Sequence, residues 1–290
     1  MRIRFWGTRG SIPTPGRHTV RYGGNTSCVE VNSEGGTLIV LDGGTGVHGL
    51  GRHLLARGKG AVHGHLLVGH THWDHIQGLP FFAPFYVPGN RWTLYGPRAA
   101  ARPLRETLAR QMDGQSFPIP LERLAAELHC RDIEEGDHRV GDVEVTAQSL
   151  NHSSPALGYR LRADGRTVVY ACDHEPSPDW TPGCPPEALP PADRRHAEFL
   201  AGADLVIHDA QYTAAELGGK RGWGHSSADY VVELCRLAGV RRLALTHHDP
   251  QRRDDDLDGI VAALNETLSR QGEELEVFGA AEGQVLDLPI

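Results

Sequence analysis

The chain has 290 residues, of which 39% are hydrophobic and 23% are charged, as in an ordinary globular protein with enough apolar material for a core. Its formal net charge is −8 and it has no basic run, so nucleic acid is not expected as a tight partner, because phosphate binding depends on Lys and Arg. No apolar run approaches the roughly 20 residues of a membrane span, and the start, MRIRFWGTRGS, lacks a signal-peptide core, so we expect a cytoplasmic protein.

The first half of the chain predicts short strands separated by glycine-rich turns. Apolar or alternating runs predict strands at 2–6, 27–31, 37–41 and 65–68. Residues 97–112 are predicted to be helical, because Leu104, Leu108 and Met112 recur at spacings of four.

The second half again places strands before helices. Strands predicted at 142–149, 156–162 and 167–171 precede a proline-rich surface loop at 175–191. A strand at 205–208, a helix at 226–238, a strand at 242–245 and a helix at 255–270 follow. This order predicts two sheets packed face to face with helices outside, an α/β fold of the four-layer αββα sandwich type. We expect one domain over residues 1–290.

The stretch LVGHTHWDHIQG, residues 67–78, ends an apolar run with four potential metal ligands within six positions. If 65–68 is a strand, the loop at its end converges the imidazoles of His70, His72 and His75 on a small volume. The carboxylate of Asp74 lies among them and adds negative charge. A solvated loop or a helix cap would not require such crowding, so we interpret the cluster as a metal site.

Three further residues of ligand type each follow an apolar strand. His152 comes after the strand predicted at 142–149, Asp173 after 167–171, and His247 after 242–245. The loop cluster alone has too many donors for one tetrahedral ion with an open position, and too few for a closed site. We therefore expect these three residues to join the cluster.

These motifs resemble those of the metallo-β-lactamase fold hydrolases, and most closely the ribonuclease Z and PhnP-like phosphodiesterase branch. The segment HTHWDH matches the motif HxHxDH, and the segments GTRGS, LDGGTG, HSSPALGYR, GHSS and LTHHDP add similarity between Trp6 and Pro250. The resemblance implies a sandwich of the metallo-β-lactamase type. It also implies two divalent metal ions per chain, with zinc as the first choice, manganese as the second and iron as a further alternative.

The resemblance also implies a ligand set by matching positions. The first ion would be held by His70, His72 and His152, the second by Asp74, His75 and His247, with Asp173 bridging both. His248 adjoins His247, and similarity to the Thr-His pattern of the family favours His247 as the ligand. Seven donors divide naturally over two ions that each keep an open position, and such a pair activates a water at neutral pH.

Further positions match catalytic residues of the family. His225, in GWGHSS, matches a histidine that protonates the leaving oxygen, and Asp209, in VIHDAQYT, matches a carboxylate that orients it. Relatives often carry Glu at the second position, which leaves the reach of the shorter Asp209 open. Asp74 is counted as catalytic as well as metal-binding. Asp42 resembles a carboxylate that orients a ligand imidazole, with a plain turn residue as the alternative.

Two classes of function remain open, namely a phosphodiester hydrolase and a non-hydrolytic di-metal sensor. A poised acid such as His225 favours the hydrolase. Ribonuclease Z enzymes grip transfer RNA with a long arm, but here only the short segment LRADGRTVVYAC lies between Arg160 and Asp173. We therefore expect a small or cyclic phosphodiester as substrate. Ribonuclease Z-like RNA processing and lactone or thioester hydrolysis are alternatives, and assembly as a homodimer is left open.

Overall fold

The strands form two seven-stranded sheets in the computed structural model, which describes residues 1–58, 60–98 and 102–289. The first sheet contains β1 (Arg2–Gly7), β2 (Cys28–Asn32), β3 (Leu38–Leu41), β4 (His63–Leu67), β5 (Arg91–Pro97), β6 (Glu127–Ile133) and β14 (Val285–Asp287). Its order is β14-β1-β2-β3-β4-β5-β6. Neighbouring strands are antiparallel from β14 to β3 and parallel from β3 to β6.

The second sheet has the same division into an antiparallel and a parallel half. It contains β7 (Gly136–Val140), β8 (Val143–Ser149), β9 (Leu157–Ala163), β10 (Arg166–Ala171), β11 (Leu205–Asp209), β12 (Arg242–Thr246) and β13 (Glu276–Gly279). Its order is β13-β12-β11-β10-β9-β8-β7. The strands β10 to β13 are parallel, and β8 runs in their direction because β8 and β10 are both antiparallel to β9.

Helices cover the outer face of each sheet. They are α1 (Val47–Ala56), α2 (Trp73–Ile76), α3 (Leu104–Gln111), α4 (Pro191–Leu200), α5 (Ala214–Leu217), α6 (Ala228–Leu237) and α7 (Asp254–Gln271). The side chain of Ser227 caps α6 by accepting a hydrogen bond from the backbone N–H of Tyr230, which has no partner within the helix. None of the described helices is long and apolar enough to cross a lipid bilayer.

Three apolar layers hold the four layers of secondary structure together. Phe5 and Leu41 of the first sheet pack with Tyr159 and Ile207 of the second in the central layer. A second layer lies between the first sheet and α1 and α3, and a third lies between the second sheet and α4, α6 and α7. The predicted αββα sandwich is confirmed.

The helix predicted at 97–112 is wrong over its first part. Pro97 ends strand β5, which pairs between β4 and β6, and residues 99–101 lie outside the described residues. The helix begins only at Leu104, because Pro103 restricts the residue before it and suits a helix start. Leu104 and Leu108 are buried, as their spacing of four predicted. The strands β5, β6, β7, β13 and β14 and the helices α1, α4 and α5 were not predicted.

Candidate metal centre

The predicted site residues follow the carboxyl ends of strands in both sheets. Asp42 follows β3, the cluster His70, His72, Asp74 and His75 follows β4, His152 follows β8, Asp173 follows β10, Asp209 ends β11 and His247 follows β12. Ligands of α/β proteins commonly bind beyond such strand ends. The two sheets thus supply one site from their adjoining edges.

A first group of donors surrounds one carboxylate oxygen. Oδ2 of Asp173 lies 3.4 Å from Nε2 of His70 and 3.6 Å from Nε2 of His152. Nε2 of His152 lies 3.2 Å from Nδ1 of His72. These four residues offer ligand atoms within 4.8 Å of one another. They are the residues predicted for the first ion together with the predicted bridge.

A second group surrounds the other oxygen of the same carboxylate. Oδ1 of Asp173 lies 3.3 Å from Nε2 of His75 and 3.1 Å from Nε2 of His247. Oδ2 of Asp74 lies 3.3 Å from Nε2 of His75 and 3.0 Å from Nε2 of His247. The structure therefore brings all seven predicted donors together, with the two oxygens of Asp173 facing different groups.

Several buried atoms of these groups lack a hydrogen-bond partner among the described residues. They are both ring nitrogens of His70, Nε2 of His75 and Oδ1 of Asp173. Buried polar atoms normally have partners, so these atoms indicate a species that binds there. Donor separations of 3.0–3.6 Å are close to the edge of about 3.4 Å that a tetrahedral ion with bonds of about 2.0–2.1 Å would have. The residues fit divalent metal ions.

The electrostatics of the groups suit metal binding as well. Burial lowers the pKa of His70 well below its ordinary value, and the neighbouring imidazoles add to the shift. Burial alone would raise the pKa of Asp74, but His75 and His247 lower it below its ordinary value. His70 is therefore neutral and Asp74 is ionised, which are the protonation states that bind a metal ion.

Asp42 orients the ring of His75 in the second group, as the resemblance implied. Oδ2 of Asp42 lies 2.7 Å from Nδ1 of His75 and accepts a hydrogen bond from the hydroxyl of Tyr170 at 2.6 Å. Oδ1 accepts from the backbone N–H of Gly69 at 2.7 Å. Since a carboxylate accepts, Nδ1 of His75 carries a proton, and Nε2 faces Asp74 and Asp173. Burial lowers the pKa of this ring, but the three carboxylates outweigh it and raise the pKa well above its ordinary value, so a metal ion at Nε2 would take the place of a second proton.

Four residues of the site hold a left-handed backbone conformation that non-glycine residues rarely adopt. They are Ser11 at φ 62°, Asp42 at φ 61°, Asp173 at φ 65° and His247 at φ 57°. Such conformations cost free energy and concentrate at functional sites, where the surrounding structure enforces them. The backbone thus points to the same residues as the side-chain geometry.

The N-terminal segment GTRGS and a glutamine orient the second group. The backbone N–H of Ser11 donates to Oδ2 of Asp74 at 2.8 Å. Oε1 of Gln211 lies 2.9 Å from Nδ1 of His247 and so directs Nε2 of that ring at the carboxylates. The sequence reasoning missed Gln211, whose only signal was its place two residues after Asp209.

His225 lies beside the donor groups and is supported by Asp209. Nδ1 of His225 is 3.1 Å from Oδ2 of Asp209 and 4.0 Å from Oδ2 of Asp173. The aspartate therefore reaches the ring although it is shorter than glutamate. Oδ1 of Asp209 accepts from the backbone N–H of Gln211 at 3.0 Å. Burial lowers the pKa of His225, but Asp209 and the other carboxylates outweigh this effect and raise it to about 9.

His248 and Cys172 are neighbours of the site with other surroundings. Nε2 of His248 donates to the carbonyl of Ala280 at 2.9 Å, so this ring turns away from the donors. Sγ of Cys172 lies within 4.8 Å of the donor atoms of the second group, a proximity that the sequence reasoning missed. Burial raises the pKa of the Cys172 thiol well above its ordinary value, which opposes the thiolate form that binds metals.

Glu175 and His174, which directly follow Asp173, contact the loop that carries His225. The carboxylate of Glu175 accepts from the backbone N–H groups of Gly222 at 2.8 Å and Gly224 at 2.7 Å. The buried ring of His174 stacks on His196 with centroids 3.9 Å apart and so points away from the donors. Both residues support the site from outside the donor groups.

Comparisons with known proteins agree with this geometry. A family model described as the beta-lactamase superfamily domain matches residues 37–248. The ribonuclease Z of Haloferax volcanii is 26% identical over 347 aligned positions, which cover 100% of this chain and 95% of that protein. A solved diphosphatase from the PhnP family has a TM-score of 0.67 at 17% identity, covering 100% of this chain and 98% of its own. Human tRNase Z, short form, has a TM-score of 0.63 at 20% identity, covering 100% of both chains.

Proposed function

The chain belongs to the beta-lactamase superfamily, as a hydrolase of the metallo-β-lactamase fold, and we propose that it is a binuclear phosphodiesterase acting on small or cyclic phosphodiesters. The observation that carries the proposal is the His225–Asp209 pair, 3.1 Å apart, at the edge of two donor groups that share Asp173. A protonated imidazole beside such donors suits the release of an alkoxide, which is a poor leaving group without a proton.

We assign the donors to two divalent ions, zinc first and manganese as the alternative. His70, His72 and His152 with Oδ2 of Asp173 form one set, and Asp74, His75 and His247 with Oδ1 of Asp173 form the other. The distances of 3.1–3.4 Å from Asp173 to His247 and His70 support this division. When bound, such ions supply an activated water nucleophile and positive charge for the phosphoryl oxygens.

The protein's own groups supply the proton. Because Nδ1 of His225 donates to Asp209, Nε2 carries the proton that is free for the leaving oxygen. The backbone N–H groups of Ser226 and His174 hold Oδ2 of Asp209 at 3.3 Å each, so the carboxylate that supports the ring is itself held in place. The raised pKa keeps the ring protonated at neutral pH, so that Nε2 holds a proton to donate.

The proposal that the substrate is small depends on the hairpin between β9 and β10. Only Asp164 and Gly165 separate these strands, so no long arm for transfer RNA arises at this place. The net charge of −8 also opposes binding of a long polyanion. Both features favour a substrate that makes few contacts beyond its reacting phosphate.

Ribonuclease Z-like RNA processing is the second candidate. The relative from Haloferax volcanii, itself named ribonuclease Z, aligns over the full length of this chain. The hairpin and the charge argue against this activity, but neither bears on the chemistry of phosphodiester cleavage. The two candidates differ in the size of the substrate and not in the reaction.

A substrate panel separates the candidates. Purified protein of measured metal content would be given cyclic nucleotides, linear dinucleotides, a precursor transfer RNA with a 3′ extension, and lactones. We expect turnover of the small phosphodiesters that stops with a chelator and returns with zinc or manganese, and only weak, salt-sensitive binding of transfer RNA. Saturable binding and 3′ cleavage of the precursor would establish the second candidate, and turnover of lactones alone would refute both.

A further inference from the structure

Large apolar side chains are exposed beside the first donor group. Trp73, between the ligand residues His72 and Asp74, is 78% exposed, and Phe81 is 59% exposed. Both line a cavity of about 800 Å³. Exposed aromatic rings beside a reactive centre are commonly ligand-binding surfaces, because leaving such rings in water has no structural benefit.

The cavity is lined by close sequence neighbours of two of the donors. One wall contains Thr71 and Trp73, from the loop that carries His72. The lining also contains Ser154 and Pro155, from the loop that carries His152. A group bound in the cavity would therefore remain within reach of a phosphate held at the first donor group.

The lining of the cavity also contains aromatic and cationic side chains. Phe117 packs edge-on against Phe81 with ring centroids 5.3 Å apart. Arg102 and Arg110 share the single carboxylate of Glu106, with separations of 3.4 and 3.1 Å, so this part of the wall carries a net positive charge. An anionic ligand with a flat apolar part matches both properties.

Polar side chains line the same space and make an aliphatic occupant a poorer match. Gln77, Thr107 and Gln111 offer hydrogen-bond donors and acceptors next to the rings. A heterocycle with ring nitrogens and exocyclic groups can use these side chains while its face stacks on Trp73, whereas an alkyl chain would leave them unpaired.

We propose that this cavity is the subsite for a nucleobase carried by the substrate, with the base stacked on Trp73 and Phe81 while the reacting phosphate lies at the first donor group, and with Arg102 and Arg110 attracting the anionic substrate. The inference rests on the proposed function, because it makes a nucleotide one side of the cleaved phosphodiester. It adds the specificity residues: the rings of the cavity, and not the donors, select this class of phosphodiester.

The test compares two ligands that share a phosphate and differ in the base. Calorimetric titration of the purified full-length protein with adenosine 5′-monophosphate and with ribose 5-phosphate would measure the preference for the base without any turnover. We expect the nucleotide to bind about tenfold tighter, within the range that stacking of one base supports. Trp73→Ala should remove most of this preference. Phe81 is farther along the chain from the metal-binding residues than Trp73, so Phe81→Ala should reduce the preference and leave the metal content unchanged.

Trp223→Ala is the matched control, since Trp223 is also exposed, at 58%, but does not line the cavity. Its preference for the nucleotide should equal that of the wild type. Equal affinity of the wild type for the two ligands, or a preference that survives Trp73→Ala and Phe81→Ala, would overturn the subsite. If phosphodiesters are hydrolysed but no base preference exists, only the subsite fails. If the base preference exists but no phosphodiester is hydrolysed, the subsite stands and the proposed function fails.

Discussion

The backbone of Gly10 lies directly against the imidazole of His247. A β-carbon added at Gly10 would fall inside the contact distance of Nδ1, Cε1 and Cγ of that ring. The same glycine donates its backbone N–H to the carbonyl of His248 at 3.0 Å, which fixes the two loops against each other. Glycine is therefore required here by a close approach, and the segment GTRGS supports the site although none of its side chains is among the seven donors.

We expect Gly10→Ala to displace His247 and to weaken binding at the second donor group. The added methyl group must move either the ring or the loop, and Gln211 and Asp74 then lose their contacts with His247. Metal analysis after dialysis should show about one ion lost per chain. Gly16→Ala is the control, because a β-carbon at Gly16 meets nothing within 4 Å. Equal metal content in the two variants would refute the role of the close approach.

Asp42→Asn tests the support behind His75. An asparagine amide can present N–H to Nδ1 of His75 and disturb the protonation that leaves Nε2 free, and it removes the charge that compensates a bound cation. Loss of such a supporting contact typically lowers metal affinity about 10–100-fold. Competition with a fluorescent chelator would measure the change. Asp142→Asn, a carboxylate bonded to Ser33 and far from the donors, should leave the affinity unchanged.

Most of the site could be predicted because its residues obey a local rule. His152, Asp173 and His247 each follow an apolar strand, and strands of one direction end at the same edge, so a pattern within ten residues identified each of them. The prediction of a sandwich rests on the same kind of local evidence. The seven donors meet in the structure for this reason.

The rest depends on distances that no local pattern contains. Whether Asp209 reaches His225 is decided by the contact between the segments that follow them, where the backbone N–H of Tyr212 donates to the carbonyl of Ser226. The direction of His248 depends on the carbonyl of Ala280, 32 residues away. The helix predicted at 97–112 began too early, because periodicity cannot show that Pro97 still belongs to β5, which pairs as a strand between β4 and β6.

The buried ring of His248 gives a pH-dependent contribution to stability. Burial lowers its pKa from the ordinary 6.5 to about 3, with Arg9 and His247 adding to the shift. Between these two values the unfolded chain binds a proton that the folded chain does not, so the free energy of unfolding falls as the pH falls below 6.5. From pH 7.5 to pH 5 this group should cost about 2 kcal/mol.

His248→Gln isolates this contribution, because the amide can still donate to Ala280 but does not titrate. Denaturant unfolding at pH 7.5 and pH 5 should show a smaller loss of stability in the variant than in the wild type. The other buried histidines titrate in both proteins and cancel in the comparison. Parallel losses in the two proteins would show that His248 does not resist protonation in the fold.

His225→Ala distinguishes a proton donor from a metal ligand. The variant should keep its metal ions, because the seven donors remain, and should lose about 10²–10⁴-fold in kcat for a phosphodiester with a poor leaving group. A p-nitrophenyl ester needs little protonation of its leaving oxygen, so its loss should be much smaller. His72→Ala is the comparison, since removal of a donor harms the supply of the nucleophile and should slow both substrates alike. Metal analysis must accompany the kinetics. Equal losses for good and poor leaving groups in His225→Ala, with the metal ions retained, would make His225 a positioning residue and would leave the leaving oxygen without a proton donor.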